Sequence, residues 1–289
     1  MRGIILVAPS SAWLNPMTDV IPKQVLPVYD KPMIYHPLGT LMLAGVREIM
    51  LIAAPRDLPT FRNLLGDGSQ WGLTLSYFVL PNQGGVAQAL LTGQEFLCGH
   101  ACALVLGDNL FYGQGLSQLL TATAHMNRPG ATLFAYNVRD PENYDVVEFD
   151  GQKNAVSIEK KPKAPKSSWA VTGLYFFDKY ASDFMKSLTA SLRVEPDITD
   201  LSRLYLQRGE ISVERLGNGF AWLDVGTPDA LVQAAEFTRA LEKRQGFKVA
   251  CPEEIAFRSG WISGEQVLKL ASRYKGDYGD YLRTLTIHC

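Results

Sequence analysis

Short apolar runs alternate with amphipathic stretches through the first half of the chain. Gly3 to Val7, Glu48 to Ala53 and Cys102 to Leu106 are runs of strand length, and their apolar character predicts buried strands. Leu73 to Val79 predicts a further strand, preceded by the turn residues Gly66, Asp67, Gly68 and Ser69. Between these runs the apolar positions recur at helical spacing. Pro32 to Ala44 predicts a helix with proline at its start and Gly45 at its stop; Leu58 to Leu65 and Val86 to Phe96 predict two more. This β-α-β-α rhythm predicts an α/β fold with a mostly parallel sheet and helices on both faces.

After Thr132 the pattern changes. Thr132 to Val138, Val146 to Phe149 and Ala170 to Phe177 predict strands close together in sequence, and Tyr180 to Leu188 and Ile198 to Gln207 predict helices. A long helix from Pro228 to Gln245 leads into a small helical tail running to Cys289. The tail's apolar positions Ile255, Phe257, Trp261 and Ile262 need a surface to pack on, either the body or another subunit. No internal repeat, low-complexity tract or long linker divides the chain.

Composition narrows the function classes. A chain of 289 residues suffices for one large α/β domain or two modest ones. Its 28 Lys and Arg nearly cancel its 29 Asp and Glu, so there is no basic excess for nucleic acid and no basic run for a membrane surface. No apolar stretch approaches the roughly 18 residues of a membrane span. The opening MRGIILVAP has one cation, a short apolar run and no small-residue cleavage site, so it reads as a first strand and not as a signal peptide. A cytoplasmic location is expected. Cys98 and Cys102 have no second close pair and no histidine cluster beside them, and with Cys251 and Cys289 they read as reduced, mostly buried thiols.

In such sheets ligands sit at the carboxyl ends of the strands. Three segments are therefore expected to line one cleft: Ala8 to Pro22, the loop Gly107, Asp108 and Asn109, and the segment Trp222, Leu223 and Asp224. Asp108 follows a buried apolar run and Asp224 follows a Trp-Leu pair. Two carboxylates presented together suit Mg²⁺, which takes oxygen ligands and bridges to substrate phosphates. Either aspartate taken alone is better read as a turn residue or a helix cap.

The stretches PKQVLPVYDKPMIYHPL (22–38), LLGDGSQWG (64–72), LVLGDNLFYGQG (104–115), KPKAPKSSWAVTGLYFFD (161–178), GFAWLDVGTPDAL (219–231) and EKRQGFKVACPEEIAFRSGW (242–261) resemble the bacterial glucose-1-phosphate thymidylyltransferases, in order and over essentially the whole chain. The resemblance implies a Rossmann-like nucleotidyltransferase sheet over residues 1–240, with an inserted sugar-binding portion at about 132–218, and a helical C-terminal interface segment over 241–289. It implies transfer from dTTP to glucose 1-phosphate, giving dTDP-glucose and pyrophosphate with Mg²⁺ and no covalent intermediate. It also implies a homodimer or homotetramer. Carried over residue by residue, it assigns Asp108 and Asp224 to the metal and Lys23 to catalysis. Gln24, Gly85, Lys161, Val171 and Arg193 go to the substrates, and Tyr112, Gly113, Cys251, Glu254, Ile255 and Arg258 to a second, regulatory nucleotide-sugar site.

The sequence departs from the family on the catalytic side. Where the family has Gly-Gly-x-Gly-Thr-Arg-Leu, this chain has Ala8, Pro9, Ser10, Ser11, Ala12, Trp13 and Leu14, keeping only the last. Pro9 has no N–H to offer a phosphate, and side chains at Ala8, Ser11 and Ala12 restrict the backbone. Trp13 replaces the arginine that would neutralise the triphosphate. Leu80 replaces a glutamine that reads the pyrimidine edge, Asp145 a glycine at the sugar, and Lys160 a glutamate that binds sugar hydroxyls. The leading expectation is therefore a homologue whose family reaction is lost or severely impaired. It would bind a sugar nucleotide or sugar phosphate, or partner an active paralogue. The alternative is an active Mg²⁺-dependent transferase with a changed substrate, or residual thymidylyl transfer. In that case Asp145 and Lys160 would pair toward a new substrate, and Leu80 and Trp13 would line an apolar pocket.

Overall fold

A computed structural model of the chain describes residues 1–7, 12–80, 85–125, 129–191 and 196–287. The parallel half of the sheet comes from β1 (Arg2–Leu6), β4 (Glu48–Ala53), β5 (Thr74–Val79) and β6 (Cys102–Leu106). Between β1 and β4 lie the two-residue strands β2 (Pro27–Val28) and β3 (Lys31–Pro32), which pair antiparallel. Crossovers are made by α1 (Tyr35–Leu43), α2 (Leu58–Leu65), α3 (Val86–Thr92) and α4 (Gln94–Leu97). Then follow β7 (Asn109–Gly113), α5 (Leu116–Ala124), β8 (Ala131–Asn137), β9 (Val146–Phe149), β10 (Ala155–Glu159) and β11 (Trp169–Phe177). The chain continues with α6 (Ala181–Ser191), α7 (Ile198–Gln207), β12 (Ile211–Leu216), β13 (Phe220–Asp224), α8 (Pro228–Gln245), α9 (Pro252–Arg258), α10 (Gly264–Ala271) and α11 (Asp277–Thr284).

Among the described residues nine strands form one sheet. β5, β4, β1 and β6 pair in parallel; β11 then runs antiparallel between β6 and β8, and β12 lies parallel on β8. The β9–β10 hairpin joins at the start of β11 through Ala170 and Val146. Strand alternation sends Ile5, Ile49, Leu51 and Val105 to one face, against α1, α2 and α5, and Ile4, Leu6, Met50 and Leu104 to the other, against α3, α6 and α7. Both faces are thus covered, which is why β1, β4 and β6 read as continuous apolar runs.

The expected fold class is observed, with local corrections. The first helix starts at Tyr35 and not at Pro32, because Lys31 and Pro32 close the small ladder opposite Pro27 and Val28. Asn109, expected in a loop, begins β7, which pairs antiparallel with β13 in a separate two-stranded ladder. The helix expected over Val86 to Phe96 is divided at Gly93, where a Cβ would lie 2.3 Å from Met50 Cε. The tail packs on the body: Ile255, Trp261 and Ile262 lie against the core beside α1, and Phe257 joins a small core of Cys251, Val267, Ala271 and Leu282. Cys102 and Cys251 are buried, whereas Cys98 is exposed; Cys289 lies outside the described residues. No described helix is long and apolar enough to cross a membrane.

Candidate active site

The site grows from the carboxyl end of β6. Gly107 follows the strand, its N–H donating to Leu6 O at 2.8 Å, and the next residue is Asp108. A Cβ at Gly107 would come within 3.1 Å of both Gln24 Cγ and Leu6 O, tighter than an ordinary contact, so a side chain there would push the strand ends and the Gln24 turn apart by a few tenths of an ångström. The ladder between β13 and β7 puts Asp224 opposite Asn109, and Val225 N donates to Asp108 O at 3.0 Å. Two aspartates far apart in sequence are thereby brought to one place.

Lys23, in a short 3-10 turn after the first loop, is buried and forms an ion pair with Asp108 Oδ2. Asn109 Nδ2 donates to Asp108 Oδ1 at 2.9 Å. The pair holds more negative charge than its surroundings relieve. Burial, and next the charge of Asp108, push the Asp224 carboxyl up to about 6, while Lys23 and Lys161 pull the other way. Lys161, at the end of the β10 segment, adopts φ 38, a left-handed backbone that a non-glycine residue holds at a cost. Tyr144 and Trp222 form an aromatic wall beside Asp224, with ring centroids 5.2 Å apart. The Tyr144 hydroxyl is raised by burial and then by the Asp224 charge.

The donor set fits Mg²⁺. The paired carboxylates are hard oxygen ligands, and burial and the neighbouring Asp108 charge both disfavour an uncompensated Asp224 anion. Among the described residues there is no cluster of three or more His, Cys, Asp or Glu, so protein ligands alone fill only part of a coordination sphere. Mg²⁺ tolerates that, because it keeps waters and takes substrate phosphates.

The remaining predicted residues divide. Gln24 is fully buried beside Gly107. Gly85 caps α3, and a Cβ there would meet nothing within 4 Å, so the protein's own packing does not demand glycine. Val171 is buried, its N–H donating to Asp145 O at 2.7 Å. Ala8, Pro9, Ser10, Ser11 and Arg193 lie outside the described residues, as does the side chain of Ala12.

Two expectations are corrected. Asp145 and Lys160, expected to act together on a new substrate, are each engaged by a protein partner instead. Asp145 accepts from Thr199 Oγ1, and Lys160 pairs with Asp197, whose carboxylate caps α7 in a reciprocal box with Asp200. Leu80 and Trp13 do not share a pocket. Leu80 is 0% exposed in the core with Ile4, Leu6 and Leu90, whereas Trp13 is 77% exposed.

The residues expected at a second site do meet. Tyr112, Gly113, Cys251, Glu254, Ile255 and Arg258 all line one cavity of about 470 Å³ between β7, α1 and α9. Tyr112 stacks on Phe247, and Arg258 Nε is 2.7 Å from Glu254 Oε1. A larger cavity of about 640 Å³ lies at the amino ends of β1, β6, β8 and β12, at the opposite end of the sheet from the aspartates.

The nucleotidyl transferase family model matches residues 2–240. The glucose-1-phosphate thymidylyltransferase of Neisseria meningitidis serogroup A is 52% identical over 99% of both chains. The chain belongs to the glucose-1-phosphate thymidylyltransferase family. Another member, from Mycobacterium tuberculosis, is 49% identical over 99% of both chains, and one from Xanthomonas campestris pv. campestris is 50% identical over 98% of this chain and 96% of that one. A Bacillus anthracis protein assigned to the same family, crystallised with sucrose, superposes with a TM-score of 0.76 at 34% identity, covering 83% of this chain and 95% of that one. The family's fold accounts for the mostly parallel sheet. What sequence reasoning missed is the amide of Asn109 and the latch of Thr199 and Asp197 on Asp145 and Lys160. Asn109 carried a signal, since it directly follows Asp108.

Proposed function

We propose that the chain is an active nucleotidyltransferase that joins a nucleoside triphosphate to a hexose 1-phosphate. The pair dTTP and glucose 1-phosphate, implied by its relatives' names, is the first to test. The observation that carries this reading is the acid pair Asp108 and Asp224 with Lys23 and Lys161 around it, in a chain half identical to thymidylyltransferases along its length. Mg²⁺ bound by Asp108 and Asp224 would neutralise the phosphates and hold them in register. Lys23 and Lys161 bring ammonium groups to the same phosphates, and the wall of Tyr144 and Trp222 bounds the hexose side. An oxygen of the sugar phosphate attacks the α-phosphorus, a new P–O bond forms, and the bond to pyrophosphate breaks; no group on the protein is modified.

The altered first loop sets the expected rate. An arginine absent from a preorganised charge site costs about 3–4 kcal/mol, or ~10²–10³ in rate. With the glycine loop lost as well, transfer is therefore expected to run at least that much slower than in relatives that keep both. Pyrophosphate release from dTTP and glucose 1-phosphate should depend on Mg²⁺ and vanish in Asp108→Asn. Release no faster than in Asp108→Asn, for every triphosphate and hexose phosphate tried, would overturn the reading.

A second reading, sugar-nucleotide binding with little turnover, is favoured by Trp13 standing exposed where the family has its arginine. It predicts no gain from Trp13→Arg, whereas the first reading predicts a gain below tenfold because Pro9 still lacks its N–H. The 470 Å³ cavity is proposed as a regulatory nucleotide-sugar site. Its test is calorimetric binding of dTDP-glucose or dTDP-rhamnose without Mg²⁺, lost in Arg258→Ala. Assembly as a homodimer or homotetramer is part of the same proposal and is read by light scattering.

A further inference from the structure

Asp108 is held at both oxygens. Lys23 takes Oδ2, and the Asn109 amide takes Oδ1 at 2.9 Å. The other end of that amide is equally committed. Asn109 Oδ1 accepts from Trp222 Nε1 at 2.6 Å and from Gly173 N at 3.1 Å. This orientation is forced by chemistry. An indole N–H and a backbone N–H can only donate, so the amide oxygen must face them, and its NH₂ must then face the carboxylate, which accepts. Asn109 is itself buried.

The three partners come from different elements: Asp108 follows β6, Trp222 lies on β13, and Gly173 lies in the irregular stretch of β11 between Val171 and Tyr175. At Gly173 a Cβ would lie 2.7 Å from Asn109 Oδ1, so this third contact exists only because the residue is glycine. The amide thus has its rotation fixed by the sugar-side elements and passes that orientation to the carboxylate.

We propose that Asn109 is the positioning residue of the acid pair: fixed by Trp222 and Gly173, its amide N–H sets the rotation of the Asp108 carboxylate and leaves that group's remaining lone pairs for the divalent cation. This rests on the reading of Asp108 and Asp224 as cation ligands. A carboxylate with two of its lone-pair sites already occupied presents a defined face, and losing such an outer partner typically costs ~10–100-fold in metal affinity or activity. A brace that merely joined strands would move stability and leave cation binding alone.

The test titrates Mn²⁺ as probe, with and without inorganic pyrophosphate, by electron paramagnetic resonance on the full chain. The wild type, Asn109→Ser and Trp222→Phe are compared, with melting temperatures alongside. Asn109→Ser should weaken Mn²⁺ at least tenfold. Trp222→Phe should weaken it less, because Gly173 N still holds the amide oxygen. Equal Mn²⁺ affinity in wild type and Asn109→Ser overturns the positioning role. A wild type that binds no Mn²⁺ under either condition overturns the cation reading itself, and the two failures are thereby distinguished. Should Asn109→Ser not fold, Asn109→Asp retains an acceptor for both donors, and it replaces the N–H that faces Asp108 by a carboxylate oxygen, which removes the hydrogen bond and sets a further negative charge beside that group. At saturating Mn²⁺ its kcat should then fall at least tenfold with KM for both substrates within twofold, and an unchanged kcat overturns the proposal.

Discussion

Replacing Asp224 by asparagine should stabilise the protein while disabling it. The Asp224 carboxyl is pushed from its ordinary 3.8 up to about 6, first by burial and then by Asp108. A carboxylate whose folded pKa lies above its unfolded value opposes folding once it is ionised. The penalty is absent below about pH 4, grows between 4 and 6, and is complete above 6. At 1.36 kcal/mol per pH unit the rise corresponds to about 3 kcal/mol at neutral pH, with the relief from Lys23 and Lys161 already included. Asparagine keeps the shape and removes the charge. For a chain of this size about 3 kcal/mol corresponds to ~6 °C in melting temperature. The assay is thermal unfolding of wild type and Asp224→Asn from pH 4 to 8, in chelator and then in Mg²⁺. In chelator the variant should melt higher at pH 7.5, with the gap closing as pH falls through 6 to 4. Mg²⁺ should narrow the gap at pH 7.5 by raising the wild type alone, and the variant should lose at least a hundredfold in kcat. A variant that melts no higher than wild type at pH 7.5, or a gap that persists at pH 4, refutes the electrostatic account of the pair.

Other substitutions probe the corrections and the frame around the site. Leu80→Gln would place an amide in a closed apolar core and should cost ~2–4 kcal/mol in urea unfolding, with no gain in dTTP affinity; tighter dTTP binding at unchanged stability would return residue 80 to the cleft. Glu242 accepts from Lys31 Nζ, Lys248 Nζ and Val249 N, each within 2.9 Å, and it is buried with Lys31. Glu242→Ala leaves two cations with only Asp30 between them and should destabilise by ~3–5 kcal/mol. A loss below 1 kcal/mol would show that water reaches the network freely.

Much of the parallel half was legible because its strands are covered on both faces and carry no competing pattern. GIILV, EIMLIA and CALVL are apolar runs of strand length, as expected of strands buried on both faces. The strands that escaped are short or only half-buried. ISVERL in β12 alternates weakly, and β13 (FAWLD) becomes a strand only by pairing with β7, more than a hundred residues away. Pro32 satisfied the rule for a helix start, yet the rule does not see that Lys31 is drawn into a ladder and then into the buried charges of Asp30 and Glu242.

The same division runs through the site. Asp108 and Lys23 were visible as residues, and so was the loss of the glycine-and-arginine loop. Their pairing was not, because an ion pair across 85 positions depends on how strand ends meet. Asp145 and Lys160 show the limit most clearly. Read as substitutions at a sugar subsite they suggested a new pair facing a ligand. The fold instead spends both on α7, one through Thr199 and the other through the helix-capping Asp197.

By itself, then, the chain determined its class, its family and its chemical vocabulary, since apolar periodicity and residue type are local properties. The direction in which each polar group is spent was decided only by the tertiary structure. A carboxylate, an amide or an ammonium takes its role from the partner that packing brings within hydrogen-bond reach, and for Asp108 that partner is held by Trp222 and Gly173, residues distant in sequence.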